Sequence, residues 1–140
     1  MKRSASAVWK GGLQDGKGTV STESGVLSGA PYNFKMRFEN EKGTNPEELV
    51  AAAHAACFSM ALSKILADAG MTPENIDTKA TVSLDKGDAG FSVTSSHLDT
   101  TVKIPNANKT AFDEAVQKAK AGCPISKLLN ATITLDAKLI

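Results

Sequence analysis

One segment limits the fold of this chain more than any other: a long helix that is apolar on nearly every side. Asn45 suits an N-cap, Pro46 suits the first helical position, and Glu48 can complete a capping box by reaching back to the Asn45 amide. The pattern predicts a helix from Pro46 to about Ala69, with Gly70 as its C-terminal stop.

A helix of this composition should be buried on most of its faces. A chain of 140 residues has little else with which to surround it, which indicates that a partner subunit covers part of it. The apolar run is interrupted by polar residues such as His54, Lys64 and Asp68. We therefore interpret it as a buried helix and not as a membrane span.

The elements on either side of this helix predict an α+β protein with one domain over residues 1–140. The first third is β-rich, with strands predicted at Ala5–Trp9, Gly18–Thr22 and Tyr32–Arg37. The elements predicted after the long helix are strands Ile76–Leu84 and Phe91–Ile104, a helix over about Lys109–Ala121, a short helix from Pro124 to about Leu129, and a strand Ala131–Leu139.

Two patterns predict which faces of these later elements are buried. Residues 85–88 supply turn chemistry for a hairpin, and the strand after them alternates with a period of two. The apolar side of that strand would carry Leu98, Thr100, Val102 and Ile104. The apolar stripe of the following helix would carry Phe112, Ala115, Val116 and Ala119.

Composition excludes several classes of function. The formal net charge is +1, which gives no electrostatic reason to expect nucleic acid or an anionic membrane as a partner. No apolar run follows Lys2 and Arg3, so we expect no secretory signal and a cytoplasmic protein. The two cysteines are 66 residues apart without a CxxC motif, and no glycine-rich nucleotide loop is present. We therefore expect neither a metal nor a bound cofactor.

Cys57 lies in the middle of the long helix, among small alanines that leave room for a ligand. Apolar surroundings alone raise the pKa of a thiol, so a reactive Cys57 needs a cation that its own helix does not supply nearby. His54 lies one turn earlier on the same face and offers a Cys/His pairing. The alternative, which we favour, is that His54 serves packing or capping.

Cys123 is predicted at the N-cap of the short helix that Pro124 opens. Free backbone amides and the helix dipole lower the pKa of a thiol there. Local physics would thus make Cys123 the more acidic of the two thiols. A cysteine that merely fills a capping slot is the competing interpretation.

Arg37 and Glu47 are the charged residues with the best claim to a role beside Cys57. Arg37, at the end of a predicted strand, is a candidate for the missing cation. Glu47 precedes Cys57 by ten residues, roughly 15 Å along a helix, and cannot reach the thiol of its own helix. If Glu47 serves that thiol, it does so from another subunit. An ordinary surface charge is the alternative for each residue.

Two cysteine blocks carry a resemblance that extends over nearly the whole chain. The matching segments are Glu41–Leu49 (EKGTNPEEL), Ala52–Met60 (AAHAACFSM), Lys118–Ser126 (KAKAGCPIS), Gly18–Leu27 (GTVSTESGVL) and Val82–Lys86 (VSLDK). In these segments the chain resembles the OsmC/Ohr family of organic hydroperoxide peroxidases.

This resemblance implies an α+β fold in which two chains interlock as a homodimer, with two active sites at the subunit interface. It implies that Cys57 is the peroxidatic cysteine and Cys123 the resolving one, and that Arg37 and Glu47 position and activate the thiolate. It also implies that organic hydroperoxides are the substrates, that a dithiol such as a dihydrolipoyl group is the reductant, and that no metal or cofactor is used. The resemblance also implies that the arginine lies in the early loops in the Ohr branch. This chain has no arginine between Arg3 and Arg37, which favours the OsmC branch.

Two other functions remain open from the sequence alone. One is a non-enzymatic redox sensor or small-ligand binding module that uses the same apolar pocket, although no basic patch supports a DNA-binding regulator. The other is a Cys/His hydrolase that uses His54. Repeated turnover with a dithiol separates the peroxidase from a sensor, which would react once and stop.

Overall fold

The computed structural model describes all residues, Met1–Ile140, and shows an α+β fold with two three-stranded sheets and four helices. The predicted fold class is therefore confirmed. The elements are β1 (Ala5–Lys10), β2 (Lys17–Thr22), β3 (Ala30–Asn33), α1 (Phe34–Phe38), α2 (Pro46–Asp68), β4 (Asn75–Gly87), β5 (Gly90–Lys103), α3 (Lys109–Gly122), α4 (Pro124–Leu128) and β6 (Thr132–Leu139).

The chain forms two compact units, and the first comprises Met1–Leu49. Strands β1, β2 and β3 pair antiparallel in that order. Trp9 packs on Tyr32 with ring centroids 5.4 Å apart. A Cβ atom at Gly18 would lie 2.5 Å from the Tyr32 ring and 2.7 Å from the Trp9 ring. Glycine at this position lets both rings lie against the backbone of β2.

The second unit, Val50–Ile140, contains the sheet ordered β4-β5-β6. Strands β4 and β5 form the predicted antiparallel hairpin, whereas β5 and β6 run parallel. A parallel pair needs a crossover connection, and α3 and α4 provide it. The core of this unit is formed by α2, β5 and α3, with Phe58, Leu98 and Phe112 fully buried.

The two predicted burial patterns of this unit are confirmed. Leu98, Thr100, Val102 and Ile104 are buried on one side of β5, and the stripe of α3 is buried as well. Alternation in the strand and spacing of three and four in the helix were thus sufficient to identify the core residues of these two elements.

Helix α2 begins and ends where its capping residues predict. The Asn45 side chain accepts a hydrogen bond from the Glu48 amide at 2.9 Å, and Gly70 takes a left-handed φ of 74°. The amide of Met71 then closes on the Leu66 carbonyl at 2.9 Å. This is the return bond of a helix that ends in a left-handed glycine.

Within a single chain, α2 buries only one stripe, which consists of His54, Phe58, Leu62 and Leu66. The helix is long and apolar enough to cross a bilayer by length and composition, and 22% of its apolar window is buried. Core helices of soluble proteins can have the same length and composition. Met60, on the opposite side of the helix, is 76% exposed in the single chain.

Two details of the predicted elements are wrong. Residues 34–37 do not continue the predicted strand Tyr32–Arg37, because the Asn33 side chain caps α1 by accepting from the Met36 amide at 2.8 Å. The hairpin also turns later than residues 85–88, since Gly87 still pairs with Gly90, whose φ is 107°. Glycine at that position permits a tight two-residue turn over Asp88 and Ala89.

Candidate active site

The two thiols lie together in the second unit. Cys57 is half-buried on α2, and Cys123 is fully buried between α3 and α4. Both are free cysteines, and their side chains form a hydrogen bond with each other. A fold that brings together two cysteines 66 residues apart in sequence creates a thiol pair able to interconvert with a disulfide.

The surroundings of the two sulfurs differ. Burial raises the pKa of Cys57, and the hydrogen bond to Cys123 raises it further. Burial alone would also raise the pKa of Cys123. That effect is outweighed by hydrogen bonds from the Cys57 thiol, from the amide and hydroxyl of Ser126 and from the Ile125 amide, so the net pKa is lowered.

The hydrogen bond from Cys57 is the largest cause of the lowered pKa of Cys123, and the position of Cys123 at the start of α4 adds to it. Cys123 precedes Pro124 and occupies the N-cap, where the amides of Ile125 and Ser126 have no partner within the helix. Its side chain makes no regular capping bond, but both amides still favour the thiolate over the thiol. Local physics thus gives the more acidic thiol as Cys123, as the sequence predicts.

His54 does not bond to either thiol directly. It is fully buried, with Nδ1 2.7 Å from Oγ of Ser96 and Nε2 2.8 Å from Oγ of Ser126. Burial lowers the pKa of this histidine, which favours the neutral imidazole. Through Ser126, the ring is one hydrogen bond removed from Cys123.

Arg37 and Glu47 form a two-pronged ion pair within the first unit. Nη2 of Arg37 lies 2.7 Å from Oε1 of Glu47, and Nε lies 3.1 Å from Oε2. The sequence predicted Arg37 at the end of a strand, but the residue belongs to α1. Its guanidinium also lies 5.2 Å from the centre of the Phe38 ring. The Glu47 side chain is 15% exposed, so this carboxylate is partly desolvated and firmly held.

The neighbouring Glu48 has a different role. Its carboxylate accepts a hydrogen bond from the Thr44 hydroxyl at 2.7 Å, in place of the predicted bond from the Asn45 amide. The capping side chain of Asn45 nevertheless bonds the Glu48 amide. Glu48 thus supports the start of α2 and leaves Glu47 as the partner of Arg37.

An apolar cavity of about 230 Å³ lies beside Arg37 in the first unit. Its walls are mainly aromatic, and they include Trp9, Tyr32, Phe34 and Phe38. A cavity with aromatic walls and one guanidinium suits a ligand that has an apolar body and a polar end. Across the chain, no group of three or more His, Cys, Asp or Glu residues is arranged to hold a metal ion.

The structure therefore joins the four predicted site residues into two pairs, Arg37 with Glu47 and Cys57 with Cys123. Each pair lies within its own unit, and a site that combines both pairs remains a prediction. Ser96 and Ser126 were not identified from sequence. One feature of the sequence could have identified Ser126: it stands three residues after Cys123, the N-cap of a helix, and so lies within reach of that side chain.

Comparison with known proteins identifies the family. The family described as OsmC-like protein matches residues 39–138, which include Glu47 and both cysteines. The chain belongs to the OsmC family. The family predicted from the two cysteine blocks is thereby confirmed.

The chain is similar to two bacterial relatives in particular. The chain is 62% identical over 133 residues to peroxiredoxin OsmC of Escherichia coli K12. The matched residues cover 95% of this chain and 93% of the relative. It is 35% identical over 115 residues to organic hydroperoxide resistance protein OhrA of Bacillus subtilis, with 79% and 76% of the two chains covered.

Solved structures of the OsmC family share the fold. The crystal structure of organic hydroperoxide resistance protein OhrB of Bacillus subtilis matches with a TM-score of 0.71 at 27% identity, over 96% of this chain and 98% of that one. An OsmC-like protein of Mycoplasma pneumoniae matches with a TM-score of 0.78 at 18% identity, over 100% and 98% of the two chains. The latter likeness concerns the fold alone.

Proposed function

We propose that the chain reduces organic hydroperoxides to alcohols by a two-cysteine cycle, in which Cys57 attacks the peroxide and Cys123 resolves the product. Its relatives named peroxiredoxin and organic hydroperoxide resistance protein make it a thiol-dependent hydroperoxide peroxidase, which needs a hydroperoxide and a reductant. The observation that carries the two-cysteine cycle is the contact between the free thiols of Cys57 and Cys123.

In the first step the Cys57 thiolate attacks one peroxide oxygen. A sulfur–oxygen bond forms, the oxygen–oxygen bond breaks, and the alkoxide leaves as an alcohol after taking up a proton. Cys57 is oxidised to sulfenic acid. Cys57 is the better candidate for attack because it is half-buried and open to a substrate, whereas Cys123 is fully buried.

In the second step Cys123 attacks the sulfenic sulfur of Cys57. The sulfur–sulfur bond forms, and hydroxide leaves as water. An external dithiol, such as a dihydrolipoyl group on a small molecule or a lipoylated protein, then reduces the disulfide by thiol exchange. Disulfide formation and its reduction by the dithiol together return both cysteines to their starting state.

Cys57 needs a cation because burial and its hydrogen bond to Cys123 both raise its pKa. Arg37 is the proposed cation, and Glu47 orients it through their two hydrogen bonds. Since Glu47 and Cys57 stand ten residues apart on α2, roughly 15 Å, we assign the pair to the cysteine of a second subunit. Such an arrangement makes the active enzyme a homodimer.

The exposed side of α2 supports the dimer. A long apolar helix that buries only one stripe in the single chain has further apolar surface to cover, including Met60. An interlocked partner would cover that surface and deliver its Arg37 and Glu47 to the site. The aromatic cavity beside Arg37 would then receive the alkyl or aryl part of the substrate.

We place this activity in the cytoplasm, where a reducing environment keeps both thiols free between turnovers. The net charge of +1 offers no field for nucleic acid or an anionic membrane surface. The chemistry assigns no step to a metal or bound cofactor. In the proposed cycle the working partners are therefore a second copy of the chain, the hydroperoxide and the dithiol.

Steady-state turnover on a panel of hydroperoxides with dihydrolipoamide as reductant tests the proposal. Repeated turnover of cumene hydroperoxide should exceed turnover of hydrogen peroxide, and Cys57→Ser should abolish both. Lys118→Ala, which changes an exposed residue of α3, should leave the rate unchanged. Turnover at the wild-type rate in Cys57→Ser would overturn the assignment, and a single turnover in the wild type would favour a redox sensor.

A further inference from the structure

A row of hydrogen-bonding side chains, all buried except the partly buried Ser126, ends at the sulfur of Cys123. It runs from Ser96 on β5 to His54 on α2, then to Ser126 on α4 and on to Cys123. Ser96 and His54 are fully buried. The cycle proposed above does not use this row, although a buried polar row is costly unless each member is satisfied.

The hydrogen atoms of the row can all point toward Cys123. The Ser126 hydroxyl donates to the Cys123 sulfur, so its oxygen is left to accept from the N–H at Nε2 of His54. With its proton on Nε2, neutral His54 accepts at Nδ1 from the Ser96 hydroxyl. Each donor thus polarises the next, and the row presents one hydrogen-bond donor to the sulfur.

We propose that His54 and Ser126 are positioning residues for the resolving step. His54 fixes the Ser126 hydroxyl, which holds the Cys123 sulfur in the orientation for attack on oxidised Cys57. The inference deepens the proposed function and rests on its two-cysteine cycle. It gives the buried histidine a task beyond packing, since Nε2 orients the Ser126 hydroxyl while the Ser96 hydroxyl holds the ring at Nδ1.

The resolving step balances with these groups. Cys123 has given its proton to solvent before it attacks, and its sulfur carries the electron pair that forms the disulfide bond. The bond between sulfur and oxygen of Cys57 breaks, and the departing hydroxide takes up one proton. The products are one disulfide and one water, and Ser126 withdraws no atom because it only donates a hydrogen bond.

The groups that bond to His54 are the hydroxyls of Ser96 from β5 and Ser126 from α4, and Cys123 lies beyond Ser126. Burial is the cause of the lowered pKa of His54, with no contribution from a carboxylate or an ammonium group. Charge on Cys123 is therefore stabilised here by oriented dipoles and not by an ion pair.

A titration of Cys123 tests the inference without peroxide chemistry. In a Cys57→Ala background, Cys123 is the only thiol, and its ionisation can be followed by the ultraviolet absorbance of the thiolate. Ser126→Ala and His54→Leu should each raise the pKa of Cys123. Ser126→Thr keeps the hydroxyl and should restore it. His97→Gln changes the other histidine, which bonds Thr134, and should leave the pKa unchanged.

The rate of the resolving step gives the second measurement. In protein with both cysteines, one equivalent of cumene hydroperoxide should form the disulfide about tenfold more slowly in Ser126→Ala, the loss expected for one hydrogen bond to a charged group. Sulfenic acid, trapped with dimedone, should accumulate. Acid quenching followed by mass spectrometry measures both species.

Each outcome decides the inference. An unchanged Cys123 titration in Ser126→Ala and His54→Leu would overturn it, whatever the peroxidase assays show. Should His54→Leu fail to fold, Ser126→Ala decides, because it removes a single oxygen atom. If the proposed cycle itself is wrong, the wild type forms no sulfenic acid, while the titration still reports on Ser126.

Discussion

Arg37 holds Glu47 by two parallel hydrogen bonds, from Nη2 to Oε1 at 2.7 Å and from Nε to Oε2 at 3.1 Å. This fork fixes the plane of the guanidinium and leaves its other N–H groups available to a second anion. An arginine oriented in this way can stabilise a thiolate, which is the task that we assign to it.

The first prediction concerns the two hydrogen bonds between Arg37 and Glu47. Arg37→Lys keeps the charge but loses the two-pronged contact, and Glu47→Gln loses the anion that holds the arginine. We expect each to slow oxidation of Cys57 by at least about tenfold, the loss of a charge-assisted hydrogen bond. Rapid-quench measurement of sulfenic acid checks this.

Glu48→Gln is the matched control for that experiment. Glu48 is the adjacent carboxylate of the same helical turn, but it bonds the Thr44 hydroxyl and not the arginine. Its rate of oxidation should equal that of the wild type. Equal loss in Glu47→Gln and Glu48→Gln would mean that the effect comes from the start of α2 and not from the fork.

Removing the resolving thiol should separate the two chemical steps. In Cys123→Ser, Cys57 still reacts with one equivalent of hydroperoxide, but no neighbouring sulfur condenses with the sulfenic acid. Dithiol-supported turnover should fall by about tenfold or more, because an intramolecular nucleophile is replaced by one from solution. Steady-state rates and dimedone trapping test this, and full turnover would contradict a resolving role for Cys123.

The buried His54 should make the stability of the fold sensitive to acid. Its pKa is lowered from 6.5 by burial, so the unfolded chain binds a proton more readily than the folded chain does. The stabilising contribution of neutral His54 is complete above pH 6.5 and is lost as pH falls toward the lowered pKa of the folded state. Urea unfolding between about pH 7 and pH 5 should show a decreasing free energy of unfolding.

Replacing that histidine provides the control for the pH experiment. His54→Gln cannot titrate, so its free energy of unfolding should decline less steeply over the same range. Gln117→Ala, which changes a residue on the exposed side of α3 that cannot titrate, should decline like the wild type. A wild-type slope in His54→Gln would assign the acid sensitivity to other groups.

The proposed dimer can be tested at Met60, which is 76% exposed in the single chain. Met60→Glu would place a charge in the apolar surface that the partner covers, and a buried unpaired charge is costly. We expect it to shift the protein toward monomer in light scattering and to lower peroxidase turnover. Gln117→Glu, on the exposed side of α3, adds the same side chain and should remain a dimer.

Local signals located most of the elements. Asn45 and Gly70 set the ends of α2 because a cap and a left-handed glycine act within one turn. The same kind of signal was overlooked at Asn33, where a cap starts α1 inside the predicted strand. The lowered pKa of Cys123 was predictable in part, since two amides that favour its thiolate belong to the helix that it caps, whereas the larger effect of the hydrogen bond from Cys57 was not.

Contacts between distant residues could not be read from the sequence. Ser96 and Ser126 are 42 and 72 positions from His54, and only the packing of α2 against β5 and α4 brings them to the same ring. The pairing of Cys57 with Cys123 likewise came from a family resemblance. No periodicity of the chain encodes which residues a crossover connection will place beside a helix.

The crossover between the parallel strands β5 and β6 carries Cys123, whereas Cys57 stands on α2. A bond between their sulfurs would close a loop of 66 residues. The conformational entropy that the unfolded chain loses would stabilise the folded state by roughly 4 kcal/mol. In the proposed cycle, the enzyme waiting for its reductant is thus the form most resistant to denaturants and proteases. Its lifetime would lengthen when hydroperoxide is abundant and dithiol is scarce, so that the catalytic cycle itself sets how long each molecule survives.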